Sequence, residues 1–487
     1  MPVPVAPALA PAADAKGILL TMSFLNALTR KLSGKTGQAG APKLPPAPGL
    51  HHYHHRGDAE EAHFHLRVEP DGSGVLLVNA NQLIHLNPTA VCLAFLSLEG
   101  VPAEQIIAAM HQHYRLPVEK IKADWQDFSN QFESFLHPGS GVCPVHDLNL
   151  DVLQPFSSRP SAPYRMDLAL TYRCSNDCAH CYNDRARAGS ELTTNQWRVA
   201  IDRIWQNGIP HVVFTGGEPT LRPDLPELIQ HASQNGQITG LNTNGRRLKD
   251  PAFVAALVAA GLDHVQITLE SHDPDIHDQM VLRSGAWQET VAGIRNVLQS
   301  KLYVMTNTTL LQPNSSPTLL RQTLEFLAEL GVPTIGLNAL IYSGAGLSVG
   351  TGIAEEALPA LLDLASGFTR QSGQRLIWYT PTQYCHFDPM ALDLGIKGCT
   401  AALYNMCVEP DGAVIPCQSY YRSLGNLLTE SWDSIWNHPL SKELRERRNI
   451  PSACQTCALL PDCGGGCPLA RQADQSQPFQ PVLPTAF

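Results

Sequence analysis

Six short apolar segments alternate with helical patterns between residues 166 and 338, and this alternation limits the folds open to the chain. Strands separated by helices at this spacing form a parallel sheet. Six such units predict an α/β fold, a partial (β/α)6 barrel of the TIM type, with its chemistry at the carboxyl ends of the strands. The predicted strands are Asp167–Thr171, Val212–Thr215, Ile238–Asn242, His264–Leu269, Tyr303–Thr309 and Thr334–Asn338.

The loop after the first predicted strand carries Cys174, Cys178 and Cys181, with three and then two residues between successive cysteines. Three closely spaced thiolates suit an iron–sulfur cluster. A cubane cluster has four irons, so three cysteines leave one iron open to a small molecule, as in a catalytic metal site. Zinc with His180 as a fourth ligand, or a disulfide that leaves one odd thiol, also fits this spacing.

The second predicted strand ends in Gly216, Gly217 and Glu218. Two adjacent glycines let the backbone approach a ligand closely. The Glu218 carboxylate at the strand end is suited to accept a hydrogen bond from an ammonium group. This short pattern is weak alone, but it follows the cysteine loop by one strand.

A carboxy-terminal region carries seven cysteines, and the last four are separated by two, five and three residues. Asp411-Gly412 predicts a hairpin turn between two short strands. In a chain without a secretory signal, such spacing favours a metal or a cluster over disulfides. Structural zinc is the alternative. The seven are Cys399, Cys407, Cys417, Cys454, Cys457, Cys463 and Cys467.

Residues 59–140 are predicted to form a small α+β domain with three strands followed by three helices. Asp71-Gly72 supplies the turn of a hairpin, and Asn87-Pro88 opens the first helix. Residues 1–58, which include His51–His55, are rich in Pro, Ala and Gly, a composition typical of a disordered tail. Cys143 lies in a Pro-, Ser- and Gly-rich linker and has no predicted role.

Charge and hydropathy exclude two classes of partner. The net charge is −10 and there is no long Lys/Arg run, which argues against nucleic-acid binding. No apolar stretch reaches the roughly 18 residues of a membrane helix, and no signal peptide is recognised. Because the 13 cysteines include several tight groups at metal-like spacing, we expect a cytoplasmic, reducing location.

The order of cysteine loop, Gly-Gly-Glu and cysteine-rich tail resembles that of radical S-adenosylmethionine (radical SAM) enzymes with a SPASM extension. The resemblance implies a SAM-binding [4Fe-4S] cluster on Cys174, Cys178 and Cys181. It also implies that Gly216, Gly217 and Glu218 hold the amino group of SAM. Relatives commonly carry an aromatic residue where this chain has His180.

The resemblance also implies other ligands. Asn244 is expected on the nucleoside side of SAM, and Thr268, Glu270 and Arg283 near its ribose and carboxylate. Each of the last three is equally explained as an ordinary polar strand end or loop ion pair. One or two auxiliary [4Fe-4S] clusters are implied, the first on Cys399, Cys407, Cys417 and Cys467 and the second on Cys454, Cys457 and Cys463. Full members supply an eighth cysteine after this run, and this chain has none after Cys467.

Radical SAM chemistry implies one-electron cleavage of SAM to a 5′-deoxyadenosyl radical, which abstracts hydrogen from the substrate. The electron donor is expected to be a ferredoxin or flavodoxin, and no catalytic side chain is assigned. The α+β domain resembles the winged-helix peptide-recognition domain, in which a leader peptide adds to a sheet edge. A peptide or small protein substrate is therefore expected, and the product is a thioether, a carbon–carbon cross-link or another oxidised residue.

Two other functions remain open at this stage. One is maturation of a metallocofactor, a haem or a quinone cofactor, and the other is a catalytically silent peptide-binding or electron-transfer scaffold. The predicted domain order is a tail (1–58), the winged-helix domain (59–140), a linker (141–165), the radical SAM core (166–390), the SPASM domain (391–475) and a tail (476–487).

Overall fold

The computed structural model describes residues 43–56, 61–79, 82–136, 160–183 and 189–476. The chain divides into two compact units, one ending at Leu153 and the other beginning at Gln154. Most of the predicted tails and linker, with Cys143, lie outside the described residues. None of the helices in the described ranges has the length and apolar character needed to cross a membrane.

The first unit contains four strands and three helices: β1 (Gly49–Arg56), β2 (Glu61–Val68), β3 (Gly74–Val78), β4 (Gln82–Leu86), α1 (Pro88–Leu98), α2 (Ala103–Tyr114) and α3 (Val118–Leu136). The strands form an antiparallel sheet in chain order. Phe64, Leu66 and Leu96 are almost fully buried in one apolar core. The Asn87 side chain caps α1 by accepting from the backbone N–H of Ala90, as predicted.

Strand β1 corrects the prediction that its residues belong to a disordered tail. It pairs with β2 so that His52 lies opposite His65 and His54 lies opposite His63. The paired rings stack, with centroids 4.6 Å apart in the first pair and 4.2 Å apart in the second. The strand escaped prediction because four of its eight side chains are imidazoles, which give no apolar alternation.

The second unit is built on a nine-stranded sheet in the order β11-β10-β9-β8-β7-β6-β5-β12-β13. Strands β5 to β10 are all parallel, and they confirm the six predicted strands. The bounds are β5 (Arg165–Ala169), β6 (His211–Thr215), β7 (Ile238–Thr243), β8 (His264–Thr268), β9 (Tyr303–Thr309), β10 (Thr334–Asn338), β11 (Arg375–Trp378), β12 (Asn405–Val408) and β13 (Val414–Ile415).

The α-helices described in the second unit lie between these strands and after the last of them. Five confirm the helical patterns predicted between the strands, and the other six, α7, α10 and α11 to α14, are additional. They are α4 (Thr194–Gln206), α5 (Leu225–Asn235), α6 (Pro251–Ala259), α7 (Pro274–Val281), α8 (Ala286–Leu298), α9 (Pro317–Glu329), α10 (Leu358–Ser372), α11 (Trp432–Trp436), α12 (Pro439–Arg445), α13 (Leu460–Cys463) and α14 (Pro468–Ser476).

The cysteine-rich tail is joined to the barrel through its sheet. Strand β12 pairs in parallel with β5, and the predicted hairpin places β13 beside β12. The Tyr172 hydroxyl, just after β5, donates to Glu409, just after β12, at 2.8 Å. Tail and barrel therefore share one continuous core within the second unit.

The buried His264 side chain is expected to make the stability of the fold sensitive to acid. Its Nε2 atom lies 2.9 Å from His211 Nε2, and its ring packs on Gly240. Burial, followed by the charge of Arg165, lowers the pKa of His264 to about 4. That value lies below the unfolded value of about 6.5. The stability that neutral His264 contributes is therefore complete above pH 6.5 and is lost as the pH falls to 4, by up to about 3 kcal/mol.

Urea unfolding at pH 7 and at pH 4.5 measures this contribution. We expect His264→Gln to reduce the loss of unfolding free energy between the two values. His231→Gln is the matched control, because His231 is partly exposed and pairs with Asp202. The idea is wrong if both variants keep the wild-type dependence on pH.

Candidate active site

A cavity lies where the carboxyl ends of the parallel strands meet. The last residues of five successive strands, Thr215, Thr243, Thr268, Thr309 and Asn338, all line it. Carboxyl ends of neighbouring parallel strands share one edge of a barrel, and loops that follow them form its functional face. The cavity is at the end of the barrel where the sequence predicts the chemistry.

The cysteine loop contributes Cys174, Cys178 and Cys181 to this cavity. All three are free of disulfide bonds. Backbone N–H groups of Asp177 and Ala179 donate to carbonyl groups at the end of α7, at 3.0 and 3.1 Å. These bonds fix the middle of the loop, so that its three thiols share the cavity.

The thiols have an environment suited to an iron–sulfur cluster. Burial raises the pKa of Cys178, and the neighbouring Cys181, Glu270 and Cys174 raise it further. Such thiols lose their protons when a metal binds, because the cation offsets the buried negative charge. The N–H of Asn176 donates to Cys174 Sγ at 3.4 Å. Hydrogen bonds of this kind stabilise and tune cluster ligands.

Gly216 and Gly217 bring the end of β6 against the start of the cysteine loop. The N–H of Gly217 donates to the Thr171 carbonyl at 2.7 Å. A Cβ atom on Gly217 would lie 2.4 Å from the Arg173 carbonyl oxygen, and Gly216 has a φ of +131°. Gly217 is required because any Cβ atom would clash with that oxygen, and Gly216 is required because side-chain-bearing residues rarely adopt its dihedral angle.

Glu218 is almost fully buried beside the cavity rather than among the residues lining it. Its carboxylate accepts from the N–H and hydroxyl of Thr220 at 3.1 and 2.6 Å. It also accepts from the Thr243 hydroxyl at 2.7 Å and the Asn244 N–H at 2.8 Å. The Asn244 side chain in turn donates to Ser175 Oγ at 2.9 Å. Glu218 thus ties two strand ends to the cysteine loop, and its contact with an ammonium group stays a prediction.

The structure separates the other predicted SAM contacts into two groups. Asn244, Thr268 and Glu270 line the cavity. Arg283 lies outside the lining, and its Nε donates to the Ser175 carbonyl at 3.0 Å. His180 Nε2 lies 2.9 Å from Glu270 Oε1, so the residue before the third cysteine binds the end of the fourth barrel strand.

Several polar residues in the cavity were not predicted as ligands. Gln266 and Asn338 project from strands, and period-two alternation along those strands is the signal that would have found them. Asn307 also lines the cavity, and its Oδ1 is buried without a partner in the described structure. Gln418 comes from the cysteine-rich tail and accepts from the Tyr182 hydroxyl at 3.2 Å.

The predicted ligands of the first auxiliary cluster are neighbours. Burial and then Cys467 raise the pKa of Cys399, and burial and then Cys399 raise that of Cys417. Cys407 is buried on β12, where burial, Asp167 and then Cys417 raise its pKa. Across the described ranges, no group of three or more His, Cys, Asp or Glu side chains is placed to hold a single metal ion.

Comparison with known proteins identifies the family. The Radical SAM superfamily model matches residues 168–327, and the SPASM iron–sulfur cluster-binding domain matches residues 399–458. PqqA peptide cyclase of Xanthomonas axonopodis pv. citri (strain 306) is 30% identical over 329 residues, which cover 63% of this chain and 82% of that protein. The chain belongs to the radical SAM superfamily.

Two further proteins are similar to this radical SAM chain. Mycofactocin maturase MftC of Mycobacterium ulcerans (strain Agy99) is 29% identical over 336 residues, covering 66% of this chain and 87% of that protein. Streptococcus suis SuiB bound to S-adenosylmethionine has a TM-score of 0.64 at 16% identity, covering 84% of this chain and 95% of SuiB. SuiB bound to precursor peptide SuiA has a TM-score of 0.59 and coverages of 83% and 94%.

The family confirms the reading of this radical SAM chain as an enzyme. It uses a [4Fe-4S] cluster and SAM, and its SPASM region implies auxiliary iron–sulfur clusters. The predicted barrel with a SPASM extension is likewise confirmed by the shared fold. A catalytically silent scaffold therefore has no support. The positions of the individual ligands stay predictions.

Proposed function

We propose that this enzyme generates a 5′-deoxyadenosyl radical from SAM and uses it to abstract hydrogen from a peptide or small protein. The product is an oxidative modification such as a thioether or carbon–carbon cross-link. The observation that carries the proposal is the convergence of Cys174, Cys178 and Cys181 with five strand ends on one cavity. The bound cluster and SAM supply the one-electron chemistry.

The side chains position these groups. The three cysteines would hold three irons of the cluster and leave the fourth open to SAM. Glu218 fixes the Asn244 backbone, and Asn244 is bonded to the cysteine loop. Asn307 and Thr268, on neighbouring strands, line the cavity and would offer polar atoms to the nucleoside. Apolar packing of the barrel behind them limits water and competing hydrogen donors.

A peptide substrate is supported by the relatives and by the first unit. PqqA peptide cyclase is named for a peptide, and SuiB has been solved with its precursor peptide. In the first unit, β1 and β4 are the outer strands of the sheet. An extended peptide binds such an edge through backbone hydrogen bonds. Leu83 on β4 is 37% exposed and gives this edge an apolar contact.

Leu83→Asp tests the peptide site. It places a charge at the proposed contact, so we expect peptide affinity to fall at least about tenfold, near 1.4 kcal/mol. SAM cleavage without peptide should remain. Val118→Asp is the matched control, because Val118 is also 37% exposed but lies on α3. The probe is a synthetic peptide that copies a short open reading frame near this gene and is modified by the wild-type enzyme, titrated against both variants. Equal affinity in the two variants would exclude the β4 edge.

The thiols also suggest the surroundings of the enzyme. Every cysteine that the structure describes is free of disulfides. Free thiols are consistent with a cytoplasmic, reducing location. A ferredoxin or flavodoxin would supply the electron to the SAM-binding cluster there. An assay in which purified, reduced flavodoxin supplies the electron and the formation of 5′-deoxyadenosine is measured tests the donor.

Cofactor maturation is the second candidate, because one relative is a mycofactocin maturase. In that case the first unit docks a partner protein. Deletion of residues 1–140 separates the two functions. Loss of peptide binding with retained uncoupled SAM cleavage supports the peptide function. Unchanged peptide modification would favour a partner-docking role.

A further inference from the structure

Three cysteines, Cys454, Cys457 and Cys463, are predicted to hold the second auxiliary cluster. A [4Fe-4S] cluster held by protein alone takes four ligands. A cysteine that the fold places against these three is therefore a candidate for the fourth position.

The segment after β11 packs against Cys463. The N–H of Tyr384 donates to Cys463 Sγ at 3.4 Å, and Cys463 Sγ lies 3.7 Å from the Thr382 carbonyl oxygen. Gly466 makes a similar contact, because a Cβ atom there would lie 2.5 Å from Gln383 Cγ. Residues 382–384 are therefore packed on the loop that carries Cys463.

Cys385 is the next residue of this segment. The His386 N–H donates to the Gln383 carbonyl at 2.9 Å, which closes a turn around Cys385. The Cys385 thiol is exposed and free of disulfides. Because the preceding residue, Tyr384, is hydrogen-bonded to Cys463 Sγ, Cys385 lies one residue from a contact with a predicted cluster ligand.

We propose that Cys385 is the fourth ligand of the second auxiliary cluster, together with Cys454, Cys457 and Cys463. The ligand comes from the segment that leaves the barrel rather than from the carboxy terminus, where full SPASM members supply theirs. Four thiolates leave no open iron. This cluster then transfers electrons and does not bind the substrate directly.

The experiment uses full-length protein in which Cys174, Cys178 and Cys181 are all alanine, so that only auxiliary clusters form. After anaerobic reconstitution, we expect about eight irons per chain. Cys385→Ala in this background should convert one cluster to a three-iron form or lose it, leaving about four to seven irons. Low-temperature electron paramagnetic resonance should show the change. Cys457→Ala is the positive control, and Cys143→Ala is the control for loss of an unrelated thiol.

A measurement without any change at Cys385 complements the variants. Iodoacetamide should label Cys385 in metal-free protein, where the thiol is exposed, and at least tenfold less after reconstitution. Peptide mass spectrometry reports the labelled fraction. Equal labelling in both forms, or a Cys385→Ala variant with the iron content and spectrum of Cys143→Ala, overturns the proposal. A background protein with only about four irons also overturns it, because the second cluster is then absent.

Discussion

Replacing Cys178 with alanine is expected to abolish 5′-deoxyadenosine formation from SAM. Cys178 lies between the other two cysteines of its loop and shares their cavity. With two thiols left, the cluster loses a corner and no longer presents a single open iron. We expect about four fewer irons per chain and no SAM-dependent change in the low-temperature spin signal. Product formation is measured by chromatography after chemical reduction.

Cys143→Ala controls for the general loss of a thiol. It should keep both the iron content and the rate of 5′-deoxyadenosine formation. Auxiliary clusters should survive in Cys178→Ala, since none of their predicted or proposed ligands lies in the cysteine loop. Unchanged 5′-deoxyadenosine formation by Cys178→Ala would refute the assignment of this loop, and reconstituted protein holding only zinc would do the same.

Glu218→Ala is expected to weaken both folding and SAM binding. The buried carboxylate accepts four hydrogen bonds, and alanine leaves those donors without their acceptor. Each unsatisfied buried donor costs about 1–3 kcal/mol, so we expect a loss of at least about 3 kcal/mol in unfolding free energy. Denaturant unfolding measures this change. The same loss frees the Asn244 turn from the end of β6.

Glu218→Gln separates SAM binding from stability. The amide keeps the volume and one acceptor oxygen, but its NH2 group faces either the Asn244 N–H or the donors of Thr220 and Thr243. We expect a folded protein whose affinity for SAM falls at least about tenfold. Glu227→Ala is the control, because Glu227 is 45% exposed in a surface pair with Arg198. If Glu218→Gln binds SAM as tightly as this control, the carboxylate does not organise the site.

Sequence patterns predicted the barrel because its strands are largely apolar and most of its helices are amphipathic. Patterns failed where a strand has neither character, as in the histidine-rich β1, or is only four residues long, as in β11. Hairpin turns and the Asn87 cap were predictable because they depend on neighbouring residues. Fold-level inference therefore succeeded wherever local preference and burial agreed.

The candidate site was predicted less completely, because its contacts join distant segments. The cysteine loop was recognisable from spacing alone. The partners of Glu218 were not, since Thr243 and Asn244 meet it only after β6 and β7 lie side by side. Arg283 shows the same limit, since its bond to Ser175 spans 108 residues. Such long-range hydrogen bonds depend on tertiary structure and have no signature in the local sequence.

The pairing of β12 with β5 has a consequence for dissecting the enzyme. It gives the strand that precedes the cysteine loop a neighbour on both sides. In a polypeptide truncated before residue 399, β5 would become an exposed edge strand. Exposed edge strands pair with other chains and lead to aggregation. The barrel and its cysteine-rich tail must therefore be purified as one piece, and activity assays on an isolated barrel would report misassembly rather than catalysis.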